Sequence, residues 1–116
     1  VDSLAIVFGN AHGIFAGEER LDTERLQEIK KSVQSHVVLH GGSGIATEDV
    51  RSAIQNGIVK VNVSTALRIA YTETFVEQAA LYPDEVTPYK LLPPAVAAVK
   101  KVVVQHIQLY GSSNKV

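Results

Sequence analysis

Two histidines, a glycine-rich loop and an amide–hydroxyl run are the residues of this chain best suited to chemistry. His12 stands in Asn10-Ala11-His12-Gly13, His40 opens His40-Gly41-Gly42-Ser43-Gly44, and Asn62 opens Asn62-Val63-Ser64-Thr65. A neutral imidazole is a good ligand for a divalent metal. Small residues let a backbone approach an anion closely, and amides at a helix N-terminus can point at a phosphate. The competing explanation for both loops is an ordinary tight turn or helix cap. The two histidines are too far apart for a local zinc motif. A catalytic zinc usually takes three protein ligands, and no third candidate is evident. His36 and His106 read as structural, one at a strand entrance and one at the surface of the last helix. Lys60 lies in a strand but lacks the neighbours a Schiff-base lysine would need. Glu18, Glu19, Glu48, Asp49 and Glu85 read as solvated carboxylates of loops or first helical turns.

Alternating strands and helices must position these groups. Leu4 to Phe8 is a nearly continuous apolar run closed by Gly9-Asn10, the pattern of a strand buried on both faces. Asp22 caps a predicted helix over Thr23 to Gln34, with Leu26, Ile29 and Val33 as its apolar stripe. Val37-Val38-Leu39 reads as the second strand and runs straight into His40. Thr47 is the next predicted cap, and Val50, Ala53 and Ile54 line a short helix ending at Asn56-Gly57. A third strand is predicted over Ile58 to Val63, then a helix from Thr65 to Leu81. A Pro-containing connection, Pro88 to Pro94, leads to a last helix over Ala95 to Tyr110.

Three successive βα units with buried strands imply a parallel sheet, because each crossover helix must return over one face. The expected architecture is α/β: the last three βα units of an eight-stranded barrel plus a terminal helix, with residues 1–116 as a single partial domain. On that plan His12, His40 and Asn62 all fall at the C-terminal ends of strands, where barrel active sites are built. Two phosphate-type loops after consecutive strands also suit the phosphate site that such barrels carry near their last strands.

Composition narrows the function classes. The 116 residues are 46% hydrophobic and 20% charged, a globular balance, with a formal charge of −1. That charge argues against a broad nucleic-acid face. No apolar run is long enough to span a membrane, and no leader resembling a signal peptide is visible. Cys is absent, which removes disulfides and thiolate sites and permits a reducing compartment. Met is absent too, and the chain opens directly on a strand-like run, as expected of a piece of something longer.

At its loops the sequence resembles class II, metal-dependent ketose-bisphosphate aldolases, in particular the tagatose/fructose-bisphosphate branch. The matching stretches are Val1-Asp2-Ser3-Leu4-Ala5, Ala11-His12-Gly13, Leu21-Asp22, Val38 through Gly44, Lys60 through Thr65, Arg68-Ile69-Ala70 and Tyr110-Gly111-Ser112. They run through the whole chain, which corresponds to about two-fifths of a family barrel at its C-terminal end.

The resemblance implies a lyase of carbohydrate metabolism, with glycolysis as the expected setting and the cytoplasm as the expected location. It would cleave a ketose 1,6-bisphosphate reversibly into dihydroxyacetone phosphate and glyceraldehyde 3-phosphate. His12 and His40 resemble two of three zinc-ligating histidines. Gly13, Gly41, Gly42, Ser43, Asn62, Val63, Ser64 and Thr65 resemble positions that hold dihydroxyacetone phosphate, with the Asn62 amide also near the reacting carbons. A monovalent cation, Na+ or K+, near the phosphate loops and a homodimer or homotetramer are further family expectations. The family's third zinc histidine and its aspartate proton donor belong to a motif absent from these 116 residues, so this segment alone is expected to be inactive. Two alternatives stay open: a non-catalytic half-barrel that binds phosphate or sugar phosphate, and an aldolase of the same superfamily acting on another phosphorylated keto sugar.

Overall fold

The computed structural model describes residues 1–10 and 20–115. They form two compact units, Val1–Ser64 and Thr65–Val116. The first holds a parallel sheet in the order β1-β2-β3, from β1 (Ser3–Ile6), β2 (His36–Leu39) and β3 (Ile58–Val61), with helices α1 (Thr23–Ser32) and α2 (Thr47–Gln55) in the crossovers. The second holds α3 (Thr65–Leu81) packed on α4 (Pro88–Leu109).

The core of the first unit forms where the apolar stripes of the strands and helices meet. Phe8, Leu21, Leu26, Val37, Leu39, Ala53 and Ile58 make one buried cluster. Leu26 is fully buried there, which stabilises by about 1.5–3 kcal/mol. The Asp22 side chain accepts the Arg25 N–H at 2.9 Å and starts α1, as its position predicts. Gln27 donates to Asn56 Oδ1 at 2.8 Å and Lys30 to Gly57 O at 3.3 Å, tying α1 to the end of α2.

β2 is buried on both faces beyond its first residue, His36, which is exposed at the strand entrance. β1 departs from expectation. It ends at Ile6 rather than Phe8, and its residues alternate between exposed and half-buried. Among the described residues β1 pairs with β2 alone, so only part of it is covered. Phe8 is nonetheless fully buried, beyond the strand. β3 stops at Val61 instead of Val63, and Asn62 to Ser64 lie outside it. A bulge interrupts its ladder: Val37 pairs with Ile58 and Val38 with Lys60, leaving Val59 extra and 60% exposed. Lys60 is exposed.

Two helix starts shift. The cap of α2 is Ala46, without a side-chain hydrogen bond, and Thr47 is the first helical residue. The larger correction concerns α4, which begins at Pro88 and absorbs the predicted connection. Proline is well tolerated at the first helical position. Pro93 and Pro94 then fall in the second turn, where they withhold amides from the carbonyls of Tyr89 and Lys90. The start is fastened outside the helix. Thr87 N–H donates to Glu85 Oε1 at 3.0 Å, and Lys90 Nζ reaches Glu85 Oε2 at 2.7 Å. Lys90, then Thr87, holds the Glu85 carboxyl below its ordinary range.

At the other end of α4, His106 is half-buried rather than at the surface. Its Nδ1 lies 2.8 Å from Val102 O and its ring meets Tyr110 edge-on at 5.5 Å. The Tyr110 hydroxyl has no hydrogen-bond partner among the described residues, and burial pushes its pKa up to about 12. A raised tyrosine pKa stabilises the fold below the ordinary value near 10, and that contribution is lost as pH rises through about 12. Tyr110→Phe should therefore flatten a loss of stability across that window. At neutral pH it should raise stability by up to about 1 kcal/mol by removing an unpaired hydroxyl. Urea unfolding at pH 7 and across the alkaline range checks both.

Candidate functional site at the strand ends

Parallel pairing sets Ile6, Leu39 and Val61 side by side. The residues that follow are stitched together across the sheet. His40 N–H donates to Ile6 O, Asn62 N–H to Leu39 O and Gly42 N–H to Asn62 O, each at 2.9 Å. The structure therefore brings the exits of all three strands to one edge. His40 and the Gly41–Gly44 loop lie directly beside Asn62. Of the remaining predicted site residues, His12 and Gly13 lie outside the described residues. Thr65 is the first residue of α3, directly after Ser64.

Glycine is required twice at the β2 exit. Gly41 has a φ of +71°, a left-handed conformation that side chains rarely adopt. At Gly42 a side chain would run into Val61 Cγ1 and stand 3.1 Å from Asn62 O. The Gly42 amide is already engaged by Asn62 O and is not free to donate to a ligand. Among the described residues the Asn62 carboxamide makes no hydrogen bond, although both its backbone groups do.

The starts of α2 and α3 differ in charge. The first turn of α2, downstream of the glycine loop, carries Glu48 and Asp49. The first turn of α3 carries no acidic residue. An anion is better tolerated at the second.

Two residues that sequence reasoning passed over shape this edge. Asn10 appeared only as the punctuation after a strand. It is 7% exposed and accepts the Phe8 N–H at Oδ1, 3.2 Å away. Its Nδ2 donates to His40 O at 2.5 Å and to Gly41 O at 3.1 Å. The sequence signal was an amide immediately after a Gly that ends an apolar run. Asp49 was read as a solvated carboxylate. It accepts the Leu21 N–H at 2.8 Å and pairs with Arg20 Nε at 3.3 Å, joining α2 to the segment before α1. Nothing in its local sequence distinguishes it from other first-turn acids.

The donor chemistry fits one corner of a zinc site. His40 supplies a half-buried imidazole at a strand end, but the described residues hold no cluster of three or more His, Asp or Glu that could bind a metal. Among the described residues no helix is long and apolar enough to cross a membrane.

Comparison with known proteins agrees with this architecture. Residues 1–115 match the family described as "Fructose-bisphosphate aldolase class-II". The chain is 40% identical over 115 residues to a Bacillus subtilis (strain 168) protein named "Probable fructose-bisphosphate aldolase", covering 99% of this chain and 40% of that one. The solved YdjI aldolase from Escherichia coli K12 superposes with a TM-score of 0.78 at 32% identity, over 98% of this chain and 40% of its own. A fructose-bisphosphate aldolase from Campylobacter jejuni matches the fold alone, with a TM-score of 0.72 at 20% identity over 94% of this chain and 39% of its own. The chain thus spans about 40% of the length of these relatives. Its α/β architecture is that of the C-terminal portion of a (β/α)8 barrel. The chain belongs to the class-II fructose-bisphosphate aldolase family.

Proposed function

We propose that this chain is the phosphate-binding, metal-contacting portion of one barrel domain. In this reading the whole enzyme reversibly cleaves fructose or tagatose 1,6-bisphosphate into dihydroxyacetone phosphate and glyceraldehyde 3-phosphate. The observation that carries the reading is the joining of His40, the tight Gly41-Gly42 turn and Asn62 at one strand edge by the Gly42 amide. His12 and His40 hold two corners of a zinc site whose third histidine this sequence does not contain. Bound there, zinc supplies Lewis-acid polarisation of the ketone oxygen.

The chain's own residues bind and orient. Gly13, Gly41, Gly42, Ser43, Val63, Ser64 and Thr65 hold the phosphate, and the absence of acids from the first turn of α3 favours it there. Phosphate binding spends remote contact energy on aligning the reacting carbons. The Asn62 carboxamide, uncommitted among the described residues, is the group we assign beside those carbons. A Na+ or K+ ion near the loops, a homodimer or homotetramer, and a cytoplasmic setting complete the reading.

The test is zinc content and bisphosphate cleavage in the full-length protein that carries this sequence. About one zinc per chain and EDTA-sensitive cleavage of either bisphosphate are expected, as for a single catalytic site. Phosphate binding without turnover would mean a non-catalytic barrel instead. Turnover of only another phosphorylated keto sugar would keep the aldolase chemistry and change the substrate. Thr65→Val should weaken dihydroxyacetone phosphate about tenfold, the value of one hydrogen bond to a charged group, and leave zinc bound. Calorimetry with parallel metal analysis reads both, and unchanged affinity would remove Thr65 from the site.

A further inference from the structure

Asn10 makes three hydrogen bonds to its surroundings, and both of its donor hydrogens are used. A carboxamide offers one acceptor oxygen and two donor hydrogens. Here the oxygen takes the Phe8 N–H at 3.2 Å, and the nitrogen donates to His40 O at 2.5 Å and Gly41 O at 3.1 Å. One partner is a donor and two are acceptors, so only one orientation of the amide satisfies them. The residue is 7% exposed, and a buried amide with both donors matched is held firmly.

Its partners matter more than its burial. The Gly41–Gly42 peptide is gripped from both sides, its carbonyl by Asn10 and its N–H by Asn62 O at 2.9 Å. Gly41 needs its left-handed φ of +71° to present that carbonyl. The His40 carbonyl belongs to the residue whose imidazole stands at the strand end. One side chain from the segment after β1 therefore fixes the backbone on which both a candidate ligand and a candidate phosphate loop are mounted.

We propose that Asn10 is a positioning residue for the sugar-phosphate site: it sets the backbone of His40 and Gly41 to the geometry that dihydroxyacetone phosphate meets. The proposal rests on the aldolase reading above. Asn10→Asp keeps the shape but turns a donor into a charged acceptor facing two carbonyl oxygens. Asn10→Ala removes the group and leaves room for a water to bond the freed carbonyls.

The experiment is calorimetric binding of dihydroxyacetone phosphate to the full-length, zinc-loaded protein in three forms. The expected order of affinity is wild type, then Asn10→Ala, then Asn10→Asp, the last weaker than wild type by at least about tenfold, as for other small misplacements of a binding group. A merely space-filling asparagine predicts the opposite order for the two variants, and that result or three equal affinities would overturn the proposal. A second measurement needs no variant and decides the matter if Asn10→Asp does not fold. In the wild type, the Asn10 side-chain amide NMR signal should shift as dihydroxyacetone phosphate is added, and a signal that stays put would sink the idea. Failure of the wild type to bind dihydroxyacetone phosphate would bring down the aldolase reading and this proposal together. Binding that is indifferent to Asn10 would bring down the proposal alone.

Discussion

Gly42→Ala should destabilise the full-length protein by about 3 kcal/mol and weaken sugar-phosphate binding with it, because overpacking a tight site costs roughly 1–3 kcal/mol and here the neighbour is rigid. The added methyl would overlap Val61 Cγ1 and press on Asn62 O at 3.1 Å. Val61 is the last residue of β3 and Asn62 O is the acceptor for the Gly42 amide, so neither can withdraw without opening the strand edge. Gly44 is the internal control. It lies in the same loop with a φ of +86°, but a side chain there would meet nothing within 4 Å. Gly44→Ala should therefore show only the strain of its backbone, about 1–2 kcal/mol. Urea midpoints for the two variants separate crowding from backbone strain, and equal midpoints would mean that the contact with Val61 is not what restricts Gly42.

His40→Ala should lower zinc affinity by more than about 100-fold, since groups that merely support a metal ligand are already worth 10–100-fold. The backbone around His40 is held independently of its ring. Its N–H donates to Ile6 O and its carbonyl accepts from Asn10, so the variant should keep its fold. Cleavage activity should fall with the metal, while binding of inorganic phosphate to the glycine loop survives. Metal analysis after dialysis is the check. Full zinc stoichiometry in the variant would remove His40 from the ligand set.

The fold was legible best at β2, which is buried where the sequence is apolar. β2 reads as a strand from Val37-Val38-Leu39 alone, and α3 runs from Thr65 to Leu81 as predicted. Legibility failed where tertiary contacts overrode local preference. Pro93 and Pro94 argue against a helix, yet one that starts at Pro88 and is fastened through Glu85 carries them. Val59 gives no sign that it is the extra residue of a bulge, because a register shift depends on the partner strand.

The candidate site divides in the same way. Gly41 and Gly42 announce themselves by type, since few other residues suit a left-handed turn or a crowded peptide. Asn10 and Asp49 do not, because their work is done by partners about 30 residues away, at His40 and Leu21, and a sequence offers no distance.

The flanks Phe8–Asn10 and Arg20–Asp22 are tied to each other and to α2. Asp22 N–H donates to Phe8 O at 2.8 Å, and Asp49 grips Leu21 and Arg20 from α2. Gly9, with a φ of +100°, leaves no room for a side chain beside Arg20 O. These bonds lie wholly in the flanks, so they offset the entropy of bringing the two flanks together whatever side chains stand between them. Substitutions between the flanks can therefore alter the proposed site while the sheet edge stays closed, with His12 and Gly13 the positions that the proposed chemistry holds fixed.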